Sequence, residues 1–185
     1  MYKLAAAFAL LASPALASGL QIEVEGEGAN GTISIDLFED VAPKHVEQIM
    51  ALAADGKYDG VVFHRVIEGF MAQTGDVQYG NSTANGFDMR YAGRGGSDRP
   101  DLPAEFSDLT FDRGVVGMAR SQNPDSANSQ FFIMFEPGPF LDGQYTVVGQ
   151  VTDGMDVVDA IKRGHSQTGA VTGQPDMMKK VTVTE

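Results

Sequence analysis

The sequence predicts a mainly β protein, a closed eight-stranded antiparallel β-barrel capped by two α-helices. Its 185 residues suit one domain that can bury a core, and its 22 glycines indicate many turns. Eight short segments have the composition and alternation of strands, whereas two carry an apolar stripe at helical spacing. Closing eight antiparallel strands into a barrel is the most economical arrangement because closure removes exposed edges.

The chain opens with a predicted β-hairpin. Ile22 and Val24 alternate with polar neighbours, as residues do in a strand with one buried face. Asn30-Gly31 is a strong signal for a two-residue turn, and the alternation resumes over residues 32–37. We therefore expect two antiparallel strands joined by this turn.

Two helices are predicted. Pro43 suits the first turn of a helix, where its missing N–H is not needed, and Gly56 is suited to end that helix. The apolar stripe of the first helix consists of Val46, Ile49, Met50 and Ala53. A second, shorter helix is predicted over residues 155–162, with Gly164 ending it. Its inward side chains are Met155, Val158 and Ile161.

The remaining strands and one long loop complete the predicted barrel. Residues 77–113 are rich in Gly, Asn, Asp and Pro, and we expect an irregular surface loop that is functional or mobile. The chain shows neither an internal repeat nor an interdomain linker. The other strands are predicted at residues 61–65, 70–73, 114–119, 130–134, 146–151 and 181–183.

Charge and composition exclude several function classes. The formal net charge is −12, from 25 acidic and 13 basic residues, which argues against a nucleic-acid partner. The absence of cysteine excludes disulfides, thiol catalysis and thiolate zinc sites. The histidines His45, His64 and His165 show no metal-ligand spacing, so we expect no metal site.

Residues 1–17 have the pattern of a secretory signal peptide. Lys3 supplies a positive charge, an apolar run follows, and small residues precede a cleavage point between Ala17 and Ser18. The run is shorter than the ~20 residues that span a bilayer, which disfavours a membrane anchor. A buried N-terminal helix is the other disfavoured alternative. We therefore expect one domain over residues 18–185 and no stable membrane anchor.

The signal-like segment and the lack of cysteine favour a bacterial periplasm as the location. A eukaryotic secretory compartment is the less favoured alternative. It stays open because Asn30-Gly31-Thr32 and Asn81-Ser82-Thr83 fit the N-glycosylation pattern. Such triplets are common by chance and carry little weight.

Residues 63–76 set an arginine and a glutamine among large apolar side chains. Because alternate residues of a strand share a face, Arg65 and Gln73 each lie beside apolar side chains on their own face. A second apolar segment repeats the arrangement, with Gln130 and Phe132 on one face. Such a surface, which carries no nucleophile, suggests a site that binds and polarises an amide without cleaving it. The alternative is a barrel wall whose polar residues lie at strand ends.

Residues 63–76 resemble the signature of the cyclophilin-type peptidyl-prolyl cis-trans isomerases. Residues 129–133 (Ser-Gln-Phe-Phe-Ile) and 141–143 (Leu-Asp-Gly) resemble two further motifs of that family, in the right order. The resemblance covers nearly all of residues 20–184. It implies an eight-stranded antiparallel barrel capped by two helices, an X-Pro isomerase activity and no cofactor.

The resemblance also implies roles for matching positions. Arg65 would be the central catalytic residue, and Gln73 and Gln130 would help hold the substrate backbone and orient Arg65. The backbone of Arg120, where many relatives carry Asn, would hydrogen-bond the peptide. The other implied substrate-binding residues are Phe70, Met71, Phe132, Phe140, Leu141 and Tyr145.

The chain departs from the best-known eukaryotic pattern of the family at several places. Phe140 stands where those proteins have Trp, and Tyr145 where they have His, and both replacements resemble the secreted bacterial branch. The loss of an indole N–H implies weak binding of the inhibitor cyclosporin. Glu68 replaces a usual Pro, which we expect to be neutral. Segment 78–92 is longer than in compact relatives and precedes the Gly-rich strip 93–96; a tolerated surface loop is favoured over a role in substrate choice.

The predicted function is isomerisation of X-Pro bonds, which assists the folding of exported proteins. The expected partners are proline-containing peptides and unfolded exported proteins, and the expected state is a monomer. The main alternative is a proline-segment binding module or holdase chaperone that uses the same groove without turnover. The full set of Arg65, Gln73, Gln130 and Phe132 favours the enzyme. A hydrolase is disfavoured because the motifs lack an activated nucleophile.

Overall fold

The computed structural model describes residues 18–184. Over these residues the main feature is one curled antiparallel sheet of nine strands, in the order β3-β9-β1-β2-β8-β6-β7-β5-β4. The predicted signal peptide, residues 1–17, lies outside the described residues. The strands are β1 Gly19–Glu25, β2 Gly31–Leu37, β3 Val61–Val62, β4 Arg65–Ile67, β5 Met71–Thr74, β6 Val115–Met118, β7 Phe131–Met134, β8 Val147–Asp153 and β9 Met177–Thr184.

Two α-helices accompany the sheet in the described part of the chain: α1 is Pro43–Ala54 and α2 is Met155–Ala160. The mainly β architecture with two helices is therefore confirmed. Helix α2 is shorter than predicted because Ile161 already leaves the helical conformation, with ψ at 130°. One short 3-10 helix, Pro139–Leu141, was not predicted. No helix within residues 18–184 combines the length and apolar character that crossing a membrane requires.

The prediction of a closed eight-stranded barrel is wrong, because the sheet is an open, curled half-barrel of nine strands. The predicted strand 61–65 is divided into β3 and β4, which lie at opposite ends of the strand order. The division occurs where the chain changes hydrogen-bond partner. The Phe63 N–H donates to the Asp176 carbonyl near β9 (2.9 Å), whereas the His64 N–H donates to the Gln73 carbonyl of β5 (3.2 Å).

The sheet separates two apolar clusters. The larger contains Val46, Ile49 and Leu52 of α1 and most of the buried sheet residues, and the smaller lies beneath the groove described below. Strand β7 is buried along its whole length because its alternate residues enter different clusters. Phe131 and Ile133 belong to the larger cluster, and Phe132 and Met134 to the smaller. The continuous apolar run of this strand thus has two buried faces.

The long loop 77–113 contains neither helix nor strand, as predicted. The buried carboxylate of Asp76 joins the start of this loop to the Gly-rich strip, residues 93–96. One carboxylate oxygen accepts from the N–H groups of Gln78 (3.0 Å) and Tyr79 (2.9 Å). The other accepts from Gly93 (2.7 Å) and Gly95 (3.0 Å). The Gly-rich strip is therefore fixed against the end of β5.

Candidate active site

The register of three neighbouring strands places the central polar residues in one row. Arg65 of β4 lies opposite Gln73 of β5, and Gln73 lies opposite Phe132 of β7. Residues directly opposite each other in antiparallel strands share a sheet face. The site therefore arises where two strands that are neighbours in the sequence, β4 and β5, pair with the distant strand β7.

Arg65 is held from two sides. Its Nη1 donates to the side-chain oxygen of Gln73 (3.3 Å), and its Nε donates to the carbonyl of Thr168 (3.3 Å). Its Nη2 makes no hydrogen bond to another residue within 18–184. Burial lowers the pKa of the Arg65 guanidinium from its usual value, and the nearby Tyr145 opposes that shift. Arg65 is therefore an oriented, partly desolvated cation whose Nη2 is available to donate to a ligand.

The orientation of Gln73 is set in turn by Gln130. The Nε2 of Gln73 donates to the side-chain oxygen of Gln130 (2.9 Å). The Nε2 of Gln130 then donates to the carbonyls of Gly95 (2.7 Å) and Gly93 (3.1 Å). This chain of hydrogen bonds runs from the Gly-rich strip to Arg65. The structure thus brings together the three residues for which a catalytic role is predicted.

A cavity of about 440 Å³ with both apolar and polar walls opens beside Arg65. Met71, Phe132 and Leu141 are buried at its base, whereas Phe140 is 63% exposed at its rim. All the predicted substrate-binding residues line it, and Gln130 lines the adjoining cavity instead. Its lining residues are Arg65, Phe70, Met71, Gln73, Ala119, Arg120, Phe132, Phe140, Leu141, Gln144 and Tyr145.

Aromatic contacts shape the walls of this cavity. Phe132 meets Tyr145 edge to face, with ring centroids 6.0 Å apart. Phe70 packs against Phe140 at 5.4 Å, so the exposed rim residue is supported from one side. Phe111 stacks under Phe132 at 5.8 Å. Stacked and edge-to-face pairs of this kind hold rings in place and keep the cavity open to an apolar ligand.

The side chain of Arg120 is also part of the wall, although only a backbone role was predicted for it. Its guanidinium lies 4.3 Å from the centroid of the Tyr145 ring. Its Nη2 donates to the Gln144 carbonyl (2.9 Å) and its Nη1 to the Ser121 carbonyl (2.9 Å). Sequence reasoning missed this contact, and it missed Thr168, which lies 103 residues from Arg65 and carries no local signal.

A second cavity of about 380 Å³ adjoins the first along the Gly-rich strip. The two cavities share Gln73, Ala119 and Arg120 as lining residues. The carbonyls of Gly93 and Gly95 face Gln130 here, so the strip forms one wall. Together the cavities make a groove long enough for more than one residue of an extended peptide.

The first cavity offers hydrogen-bond donors and apolar walls rather than acid–base groups. The first cavity is lined by neither a histidine nor a carboxylic acid. His64 adjoins Arg65 in the chain but is buried, and burial lowers its pKa to about 4, against the opposing effect of Asp76. Within residues 18–184, no three His, Asp or Glu side chains come together in a way that could hold a metal ion. The guanidinium donors and apolar side chains that are present suit the binding of an amide next to an apolar ring.

Comparison with known proteins identifies what this arrangement resembles. The family model for "Cyclophilin type peptidyl-prolyl cis-trans isomerase/CLD" matches residues 20–183. A Brucella suis protein named "Probable peptidyl-prolyl cis-trans isomerase" is 60% identical over 154 residues, which are 83% of this chain and 78% of that protein.

Solved structures agree with the family match. A crystal structure of a Cryptosporidium parvum cyclophilin type peptidyl-prolyl cis-trans isomerase has a TM-score of 0.74 and 25% identity, and covers 92% of this chain and 99% of its own. The same protein in the presence of the dipeptide Ala-Pro has a TM-score of 0.73 and 26% identity, with 90% and 99% of the two chains covered.

Proposed function

The chain belongs to the cyclophilin-type family and is a peptidyl-prolyl cis-trans isomerase, and we propose that it catalyses this reaction in the groove around Arg65. The proposal rests on the position and the hydrogen bonds of the Arg65 side chain. The guanidinium lines a cavity that has aromatic and aliphatic side chains in its wall, is oriented by Gln73 and Thr168, and keeps its Nη2 without a hydrogen-bond partner within residues 18–184.

Catalysis of this reaction requires stabilisation of a twisted amide. Partial double-bond character gives the peptide C–N bond a rotational barrier of about 18–20 kcal/mol. Before proline the two isomers differ by only about 0.5–1 kcal/mol, so the equilibrium is nearly balanced but slow to reach. A catalyst must therefore bind the twisted state more tightly than either planar one.

Arg65 supplies that difference in binding. As the bond twists, the proline nitrogen loses conjugation and regains a lone pair that accepts a hydrogen bond. A guanidinium N–H can donate to this nitrogen in the twisted state, whereas the planar ground state offers no such acceptor. The apolar surroundings lower the local dielectric and strengthen the interaction. The aromatic and aliphatic side chains of the first cavity anchor the proline ring while the preceding carbonyl rotates.

Substitution of Arg65 tests the proposal. We expect Arg65→Ala to lower kcat/KM on an X-Pro peptide by about 10²-fold, because it removes a donor used in the transition state. Arg65→Lys should restore little of the rate, since an ammonium lacks the planar fork of donors that Gln73 and Thr168 orient. Cis/trans exchange by NMR gives the rates, and the circular dichroism spectrum and melting temperature check the fold. Near wild-type exchange by folded Arg65→Ala would place catalysis elsewhere.

We further propose that the protein is a monomer of the secreted bacterial branch of the family that assists exported proteins in a periplasm. Support comes from the signal-like residues 1–17 and from the bacterial origin of the Brucella relative. Its substrates would be proline-containing segments of unfolded exported chains. Fractionation of cells that express the full chain tests the location, and N-terminal sequencing should find Ser18 first. Mature protein recovered from the cytoplasm contradicts the proposal.

Weak cyclosporin binding belongs to the same proposal. The rim residue Phe140 has no N–H to donate, and it lies beside Phe70 with most of its surface in water. Phe140→Trp should strengthen binding in isothermal titration calorimetry, because it restores an indole donor at the rim. Equal affinity of the two proteins would assign weak binding to another residue.

A further inference from the structure

The groove is positively charged although the chain as a whole carries a formal charge of −12. Four charged residues line the two cavities: Arg65, Arg94, Arg120 and Asp101. Three of the seven arginines in the chain thus face the groove, against one carboxylic acid. On a surface where acidic residues outnumber basic ones almost two to one, this concentration of cations is local.

The groove arginines also differ from the others in their partners. Within the part of the chain that the structure describes, Arg65, Arg94 and Arg120 form no ion pair. The four arginines outside the groove each do, in the pairs Arg90–Asp88, Arg99–Asp55, Arg113–Asp159 and Arg163–Glu68. Among the arginines of this part of the chain, the ones without an anionic partner are those that line the groove.

The two outer arginines are placed to act on the second cavity. Arg120 lines both cavities and is fixed over Tyr145. Arg94 is exposed, lies 5.9 Å from the centroid of Tyr91, and donates no side-chain hydrogen bond to another residue of the described chain. The carboxylate of Asp101 accepts from Asn128 Nδ2 (2.9 Å), so it is engaged with a neutral partner.

We propose that the groove selects proline segments that carry an acidic side chain within two residues of the proline. Arg94 and Arg120 would bind that side chain in the second cavity. An extended chain advances about 3.3–3.6 Å per residue, so a side chain one or two positions from a proline in the first cavity falls within the adjoining one. Guanidinium groups bind carboxylates with parallel, charge-assisted hydrogen bonds. The inference rests on the proposed function, since it assumes that the proline occupies the cavity beside Arg65.

Peptides that differ in one charge test the proposal. The first substrate is acetyl-Glu-Ala-Pro-Phe amide, which is compared with peptides that carry Gln or Lys in place of Glu. Two further sets place Glu, Gln or Lys directly before or directly after the proline. Cis/trans exchange of each peptide is measured by NMR. We expect kcat/KM to be about fivefold higher for Glu than for Gln in at least one position, and lowest for Lys. The preference should shrink when sodium chloride rises from about 20 mM to about 500 mM, because salt screens exposed charges.

Three variants separate the groove from the rest of the surface. Arg94→Gln should bring the Glu-to-Gln ratio towards one, and Asp101→Asn should raise it, because the asparagine keeps an oxygen for Asn128 but removes the opposing charge. Arg90→Gln, on the same loop but paired with Asp88 and outside both cavities, is the matched control and should leave the ratio unchanged. Each ratio is measured within one preparation, so a difference in the fraction of folded protein cancels.

The outcomes also separate this inference from the proposed function. Equal rates for Glu and Gln peptides at every position, or a preference that neither Arg94→Gln nor Asp101→Asn alters, would overturn the acidic selectivity alone. A different result would overturn the proposed site instead. It is that wild-type protein and Arg65→Ala accelerate exchange of the Gln peptide equally. A preference for Glu in an acidic protein cannot come from its net charge, which repels acidic peptides.

Discussion

At the scale of single residues, the site depends on the orientation of one guanidinium. Arg65 receives that orientation from Gln73, and Gln73 receives it from Gln130. Gln130 is anchored by two backbone carbonyls of the Gly-rich strip, which do not rotate as side chains do. In the proposed mechanism a guanidinium held in this way needs little reorganisation when the proline nitrogen becomes an acceptor, and such preorganisation is a main source of electrostatic catalysis.

Gln130 is therefore predicted to be a positioning residue. Gln130→Ala should lower kcat by about tenfold and change KM little, because it releases Gln73 and leaves the walls of the first cavity unchanged. In the Arg65→Ala background the same substitution should have almost no further effect, since its influence passes through Arg65. Full exchange kinetics of the two single variants and the double variant give these values. Gln174→Ala, an exposed glutamine away from the groove, is the control, and additive losses in the double variant would contradict the positioning role.

At the scale of elements, the site is a junction between a sheet and a loop. Strands β4, β5 and β7 supply the row of Arg65, Gln73 and Phe132. The Gly-rich strip supplies the anchor for Gln130, and the buried carboxylate of Asp76 fixes that strip through the backbone N–H groups of Gly93 and Gly95. Gly93 suits this position because its φ is +92°, and a Cβ there would lie 2.6 Å from the His64 ring.

Asp76→Asn should loosen this junction. An asparagine has one acceptor oxygen and turns an NH₂ group towards two N–H donors, so we expect a loss of about 3 kcal/mol in the free energy of unfolding. Amide hydrogen exchange at Gly93 and Gly95 should accelerate more than exchange in β1 and β2. Urea unfolding and exchange NMR measure the two effects. Asp98→Asn, at an exposed position in the same loop, serves as the control, and unchanged protection of Gly93 would show that the strip is held by other contacts.

At the scale of the whole molecule, the dependence of stability on pH is linked to the point where the chain passes from β3 to β4. His64 lies between β3 and β4, is 7% exposed, and its ring nitrogens have no hydrogen-bond partner in the described chain. Burial lowers its pKa from 6.5 to about 4. Between these two values the unfolded chain binds a proton that the folded protein excludes. The free energy of unfolding therefore falls as the pH falls through this range.

We expect the stability contribution of His64 to be fully present above pH 6.5 and to be lost progressively down to about pH 4. The loss should be about 3 kcal/mol, because one pKa unit corresponds to about 1.36 kcal/mol. His64→Leu should flatten this part of the profile, whereas His165→Gln, at an exposed position, should retain it. Urea unfolding at several pH values between 4 and 7 provides the comparison. An equal slope in wild type and His64→Leu would assign the acid sensitivity to other groups.

Local patterns in the sequence by themselves determined much of this protein. Alternation located the two strands of the first hairpin, and the 3.6-residue stripe after Pro43 located α1, because both periodicities depend only on which side of an element faces the core. The predicted two-residue turn at Asn30-Gly31 is wrong, because residues 26–30 connect the strands and Gly31 already pairs with Val24. The family motifs located the residues that line the groove, since Arg65, Gln73, Gln130 and Phe132 stand in recognisable order.

Only the tertiary structure decided how the sheet is joined and what surrounds the site. The change of partner between Phe63 and His64 depends on Asp176 and Gln73, which lie far apart in the chain. The contact of Thr168 with Arg65 and the stacking of Arg120 on Tyr145 likewise join distant segments. No local periodicity encodes such pairings, because they follow from the competition between all possible hydrogen-bond and packing partners in the folded chain. Within residues 18–184 the other four arginines form ion pairs and the groove arginines do not, a difference that the structure shows and the sequence does not.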